Sequence, residues 1–140
     1  MLIITSIFAS ILAILFLRLS LAVIALRRKN KIALGSGANA DLERAIRAQG
    51  NFAEYVPINL LLMACLEVNL APWWLFVPLG VLLIIGRVIH AIGINQPPPE
   101  FSKRVLGMKC TFFAMIGLIA ANLGWAIYVV LALNLSLIHI

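Results

Sequence analysis

Apolar positions in this chain come in long unbroken runs rather than in alternation. Four runs can be drawn, roughly Leu2–Leu26, Phe52–Leu70, Pro72–Ile94 and Leu106–Leu135. Each is near or above the ~20 residues that cross about 30 Å of hydrocarbon as a helix. Continuous runs of this length exclude a β-barrel, whose tilted strands alternate and are about half as long. The pattern predicts an all-α protein: one integral-membrane domain spanning 1–140, folded as an up-down four-helix bundle without internal repeats.

The connections carry their own signals. The first, "RRKNKIALGSGANADLER", is the longest, and its Gly35-Ser36-Gly37 piece is expected to be flexible. Asn39, Ala40 and Asp41 offer N-cap candidates for a helix that begins ahead of the second apolar run and continues into it. Pro57 falls inside that helix and is expected to bend it. Trp73 and Trp74 follow Pro72 at a membrane border, where amphipathic rings anchor at the headgroup level. Pro97, Pro98 and Pro99 must end the third helix and predict a rigid elbow before the fourth. No Lys or Arg precedes Arg18, and the first run outlasts the apolar core of a signal peptide, so it reads as a retained span.

Composition agrees: of 140 residues, 64% are hydrophobic and only 11% charged, too oily for a soluble domain with one core. The net charge of +6 does not suggest nucleic acid, because the basic residues flank spans instead of covering a soluble face. Arg27, Arg28, Lys29, Lys31, Arg44 and Arg47 lie between spans one and two. Lys103 and Arg104 lie between three and four, and the second connection has no Lys or Arg. The positive-inside rule then puts the first and third connections in the cytoplasm and both termini outside, in the plasma (inner) membrane if the source is bacterial. Cys65 and Cys110 lack ligand-like spacing, read as small buried hydrophobes, and support no metal or redox site.

Polar residues gather at the cytoplasmic border. On a helical wheel Arg44, Arg47, Asn51, Glu54 and Tyr55 share one face of the second helix, while Gln49 projects elsewhere. The third span brings Arg87 and His90 to this level. The first brings Arg27 and Arg28, with Arg18 about 13 Å deeper. The opposite half contributes little beyond Glu67, Asn69 and Asn122. Ionisable groups at membrane depth are costly, so Arg18, Glu54 and Arg87 are expected to face protein or a watery cavity. Glu54 cannot neutralise Arg18, Arg47 and Arg87 together. The cationic surplus suggests a site for an anionic ligand, with snorkelling and structural ion pairs as the competing reading. His90 reads either as a packed, backbone-bonded histidine or as part of that site.

The stretch "ERAIRAQGNFAEYVP", Glu43 to Pro57, resembles the signature of the MAPEG family, the membrane-associated proteins in eicosanoid and glutathione metabolism. The resemblance includes the basic pair ending the first span and the arginine of "GRVIHAIGI" near the end of the third, and it is strongest to bacterial members. It implies a homotrimer binding glutathione between adjacent subunits, near the cytoplasmic border. It further implies conjugation of glutathione to lipophilic electrophiles arriving from the bilayer, with reduction of lipid hydroperoxides as a second activity found in some members. By position, Arg47, Asn51, Glu54 and Tyr55 match glutathione ligands of the second helix, and Gln49 matches a contact offered to the neighbouring subunit's site. Arg27 or Arg28 matches the basic residue that closes the site from the first helix, and Arg87 and His90 border it from the third. Arg104, with Lys103 second, matches the arginine that holds the catalytic thiolate. Eicosanoid-type members carry tyrosines where this chain has His90 and Ile94.

Glutathione suits such a site chemically. Arginines fork onto its two carboxylates and Glu54 meets its ammonium. An arginine beside its thiol favours the thiolate, the nucleophilic form. Two other readings compete. One is a non-catalytic binding or scaffold protein on the same trimeric fold with an anionic ligand. The other is a small multidrug-type transporter, disfavoured because the first span lacks the acidic residue that proton coupling generally needs.

Overall fold

The structure is a computed structural model describing residues 1–95 and 101–138. Its helices are α1 (Ile3–Asn30), α2 (Ala40–Val68), α3 (Val77–Asn95) and α4 (Phe101–Ile138), with a 3-10 turn at Trp73–Leu75. All four long helices contain a segment apolar enough to span a membrane. No strand occurs among the described residues. Cross-links fix the up-down order: Glu67 meets Ile4 and Gln49 meets Ser20 between α1 and α2, Asn51 meets Arg87 between α2 and α3, and His90 meets Arg104 between α3 and α4. The protein is therefore a multi-pass membrane bundle, as the apolar runs predict.

The expected helix start is found at Asn39, whose side-chain oxygen accepts from the Leu42 N–H at 2.9 Å, with Asp41 and Glu43 in the first turn. That cap satisfies one of the orphan amides at a helix N-terminus, and the acids complement its dipole. α2 thus extends twelve residues ahead of the apolar run at Phe52 and carries the polar stripe as regular helix, with Pro57 inside it. The expected elbow at Pro97–Pro99 lies outside the described residues.

Three apolar clusters follow the bundle axis. Val23, Leu42 and Ala45 join α1 to α2 at the end with the long basic connection, here termed the basic end. Leu12, Phe52, Val56 and Leu83 fill the middle. Phe8, Met63, Leu66, Phe76 and Leu118 close the other end, beside the exposed Trp73 and Trp74, here termed the tryptophan end. Many large apolar side chains face outward, including Phe113, Ile116, Leu123 and Ile127 on α4, which suits a lipid environment.

α3 and α4 form the most extensive helix pair, and glycine sets their distance. A Cβ on Gly107 would sit 2.6 Å from both the Gly86 oxygen and the His90 nitrogen, and one on Gly86 would sit 2.9 Å from the Gly107 oxygen. Backbone therefore touches backbone, the small-residue packing by which membrane helices associate. This contact brings the last turns of α3 against the first turns of α4, where the polar residues lie.

Two expectations need correction. Arg18 does not face protein or a cavity within this chain: it lies exposed on α1, in an outward stripe with Ile7, Ile11 and Ile14. Its stretch of helix is turned so that Leu12 and Leu19 take the core-facing positions. Cys65 is likewise exposed and Cys110 only partly buried, because Met63 and Leu66 occupy the inward face of α2 beside Cys65.

Candidate functional site

At the basic end, α2, α3 and α4 enclose an open cavity of about 630 Å³. From α2 it is lined by Glu43, Arg44, Arg47, Gly50, Asn51 and Glu54, from α3 by His90 and Ile94, and from α4 by Arg104 and Met108. The α2 residues recur every three or four positions because they form one face of a continuous helix. Three arginines thus meet two carboxylates on one wall system. Of the arginines, Arg44 also pairs with Asp41. Arg47 and Glu54 are exposed to the cavity and engage in no ion pair among the described residues. The Arg104 Nε is buried and has no hydrogen-bond partner there. Unspent charge and unspent donors therefore converge on a volume large enough for a small peptide.

Arg87 lies behind this wall. It is 1% exposed and does not line the cavity. One terminal nitrogen donates to the Asn51 Oδ1 at 2.8 Å and to the Asn51 carbonyl at 3.3 Å, and the other reaches the Met108 sulfur at 3.3 Å. No carboxylate neutralises it among the described residues. Its Nε is also unpartnered. Arg87 therefore acts on the cavity through Asn51, fixing that side chain by donating to its oxygen. Asn51's amide nitrogen remains to donate toward the cavity.

His90 is 6% exposed and lines the cavity, with its Nδ1 3.1 Å from the Arg104 carbonyl oxygen. The ring ties α3 to the first turn of α4 and so fixes where Arg104 begins. It is backbone-bonded, as the first of the two readings has it, and it is also part of the cavity wall.

Other candidates lie elsewhere. Tyr55 packs edge-on against Phe112, with ring centroids 5.4 Å apart, and does not line the cavity. Gln49 turns to the opposite side of α2 and donates to the Ser20 hydroxyl at 2.9 Å, in the direction its wheel position indicates. Arg27 is engaged with its own connection, donating to the carbonyls of Ala33 at 3.2 Å and Gly35 at 3.0 Å. Arg28 is exposed on α1. Lys103 is partly buried and does not line the cavity. The cavity thus gathers Arg47, Asn51, Glu54, His90 and Arg104, but not Arg27, Arg28, Gln49, Tyr55, Arg87 or Lys103.

Among the lining residues that were not singled out from the sequence are Met108 and Gly50. Met108 shares a face with Arg104, four residues earlier on α4, and Gly50 leaves an opening between Arg47 and Glu54. The first had a positional signal, whereas a methionine in an apolar run ordinarily reads as core.

The sequence model of the MAPEG family matches residues 5–124. The chain belongs to the MAPEG family. It is similar to the inner membrane protein YecN of Escherichia coli K12, at 34% identity over 120 residues that cover 86% of this chain and 90% of YecN. The YecN of Escherichia coli O6:H1 matches to the same extent. No solved structure matches the chain. The MAPEG match spans all four helices through Gly124 and includes every residue lining the cavity.

Proposed function

We propose that this MAPEG protein is a glutathione-dependent transferase of a bacterial inner membrane, conjugating glutathione to lipophilic electrophiles, with lipid-hydroperoxide reduction as a related activity. The observation that carries this reading is the match between the cavity and the ligand. Glutathione brings two carboxylates, an ammonium and a thiol; the cavity offers Arg44, Arg47 and Arg104, two carboxylates and open donors. Arg47 forks onto a carboxylate, Glu54 receives the ammonium, and Asn51, oriented by Arg87, donates to the peptide. Arg104 faces the sulfur and lowers the cost of the thiolate. Attack on a bound electrophile then follows.

A homotrimer completes the site in this reading. Arg18, exposed on α1 within the apolar run, is unsuited to lipid contact as it stands, and a neighbouring subunit would cover it. Since Arg27 is held by its own connection, Arg28 is the better candidate to close a neighbour's cavity. Gln49 and Ser20 lie on the same flank.

A second reading, glutathione binding without turnover, draws on Ile94, an apolar lining residue where eicosanoid-type members carry a tyrosine. One experiment separates the two. Detergent-solubilised protein is mixed with glutathione, and the ultraviolet absorbance of the thiolate is followed before and after an activated aryl halide is added. The transferase reading expects thiolate that is consumed as the conjugate forms, and loss of both signals in Arg104→Ala. Binding without thiolate or conjugate would favour the second reading, and absence of binding would reject both.

A further inference from the structure

An arginine favours a thiolate but cannot accept the proton that a thiol must lose. A thiol bound beside Arg104 must pass its proton to some acceptor, and we propose that His90 is that acceptor, the general base of the glutathione site. The inference rests on the glutathione reading above and adds a chemical role to one residue of it.

The geometry fixes the tautomer. The Nδ1 of His90 lies 3.1 Å from the Arg104 carbonyl oxygen. A carbonyl oxygen only accepts, so Nδ1 carries the hydrogen and the neutral ring has its lone pair on Nε2. His90 lines the cavity, and Nε2 has no hydrogen-bond partner among the described residues. The ring thus offers one basic nitrogen, with its orientation set by the other, which is the arrangement a general base requires.

Its surroundings divide the labour. Arg104 approaches from α4, and Arg87 lies one turn back on α3. Across the cavity α2 presents Arg44, Arg47, Glu43 and Glu54. Glu54 is occupied by the ligand's ammonium in the proposed pose, and both glutamates belong to the α2 wall. His90 is bonded to the turn that carries Arg104. Base and thiolate-stabilising cation are therefore held together by one hydrogen bond, and the Gly86–Gly107 contact beneath it allows that bond to form.

The step balances within the site. The S–H bond breaks, its electron pair stays on sulfur, and the proton forms an N–H bond at Nε2. The thiol and neutral imidazole become a thiolate and an imidazolium with no change in net charge. In addition to an activated alkene, the thiolate forms the C–S bond and the imidazolium returns its proton to the resulting carbanion. In displacement on an aryl halide, halide leaves with its electron pair and the imidazolium loses its proton to water.

Proton counting on the unmodified protein tests this. Calorimetric titrations with glutathione near neutral pH, in two buffers of different ionisation enthalpy, give the protons released on binding. S-methylglutathione, which has no thiol proton, provides the baseline, and absorbance gives the thiolate formed. If His90 takes the proton, thiolate appears with almost no proton released to buffer beyond that baseline. Release of one proton per thiolate would overturn the proposal. Absence of glutathione binding would instead sink the underlying site assignment, which the same titration reads directly.

The variant His90→Asn adds a second arm, since an asparagine amide can keep the donor to the Arg104 carbonyl while removing the base. Glutathione affinity is expected to stay within about threefold, the conjugation rate to fall about 10²-fold, and added imidazole to restore part of it. A wild-type rate and pH profile in His90→Asn would reduce His90 to a positioning residue and contradict the proposal.

Discussion

The two ends of this bundle use similar polar residues for opposite purposes. At the tryptophan end the Glu67 carboxylate accepts from the Ile4 and Thr5 N–H groups, both at 2.7 Å, capping α1 where Leu2 offers no side-chain cap. Asn122 donates to the Leu62 carbonyl at 3.0 Å, and the Trp125 indole donates to the Asn69 carbonyl at 2.9 Å. These groups spend their hydrogen bonds inside the chain and fasten helix to helix. At the basic end Arg47 and Glu54 face a cavity, and the Nε atoms of Arg87 and Arg104 stay unpartnered. Polar groups in a membrane protein are costly unless satisfied, so charged side chains left open around a cavity point to a site.

This contrast can be broken by substitution at either end. The largest effect is expected for Arg104→Ala, which removes the cation proposed to face the thiol but leaves the backbone carbonyl that holds His90. Conjugation should fall roughly 10²- to 10³-fold, the scale of losing one stabilising group for a developing anion, with little change in melting temperature. Equal rates in variant and wild type would remove Arg104 from the chemistry.

Gly107→Val should come next. It forces side-chain atoms into the α3–α4 backbone contact and is expected to cost about 3 kcal/mol, read as a lower melting temperature in detergent. Because the same contact sets the His90–Arg104 bond, thiolate formation should weaken in whatever protein still folds. Asn51→Ala deprives the buried Arg87 of its side-chain acceptor and should cost about 2 kcal/mol of stability while also weakening glutathione binding. This is where the two functions overlap, and an effect on stability alone would mean that Asn51 serves only Arg87.

The smallest effect belongs to the tryptophan end. Glu67→Ala should cost about 1 kcal/mol through loss of the α1 cap, with glutathione affinity unchanged. A matching loss of affinity would show that the ends are coupled and that the contrast is too sharp.

The sequence made much of this visible because it records direction within one helix. The Asn39 cap, the stripe of Arg47, Asn51 and Glu54, and the divergence of Gln49 all follow from helical periodicity. What the wheel does not record is how one helix is rotated against the next. Arg87 was expected at the ligand, but it engages Asn51 and Met108 behind the wall. Tyr55 shares the broad face of Glu54, yet successive residues are about 100° apart, and that step is enough to put it on Phe112. Arg27 and Arg28 looked interchangeable until the fold of their connection engaged the first with the carbonyls of Ala33 and Gly35. Arg18 was placed inside by its charge, whereas Leu12 and Leu19 hold the inward positions of α1.

The central claim is that the open groups at the basic end form a glutathione site, and a calorimetric titration of glutathione into purified wild type, Arg47→Ala and Glu54→Ala tests it most directly. Saturable binding by the wild type, weakened about tenfold or more in each variant, is the result expected from losing a charge-assisted contact. Absence of saturable binding by folded wild-type protein, or equal affinity in all three, would contradict it.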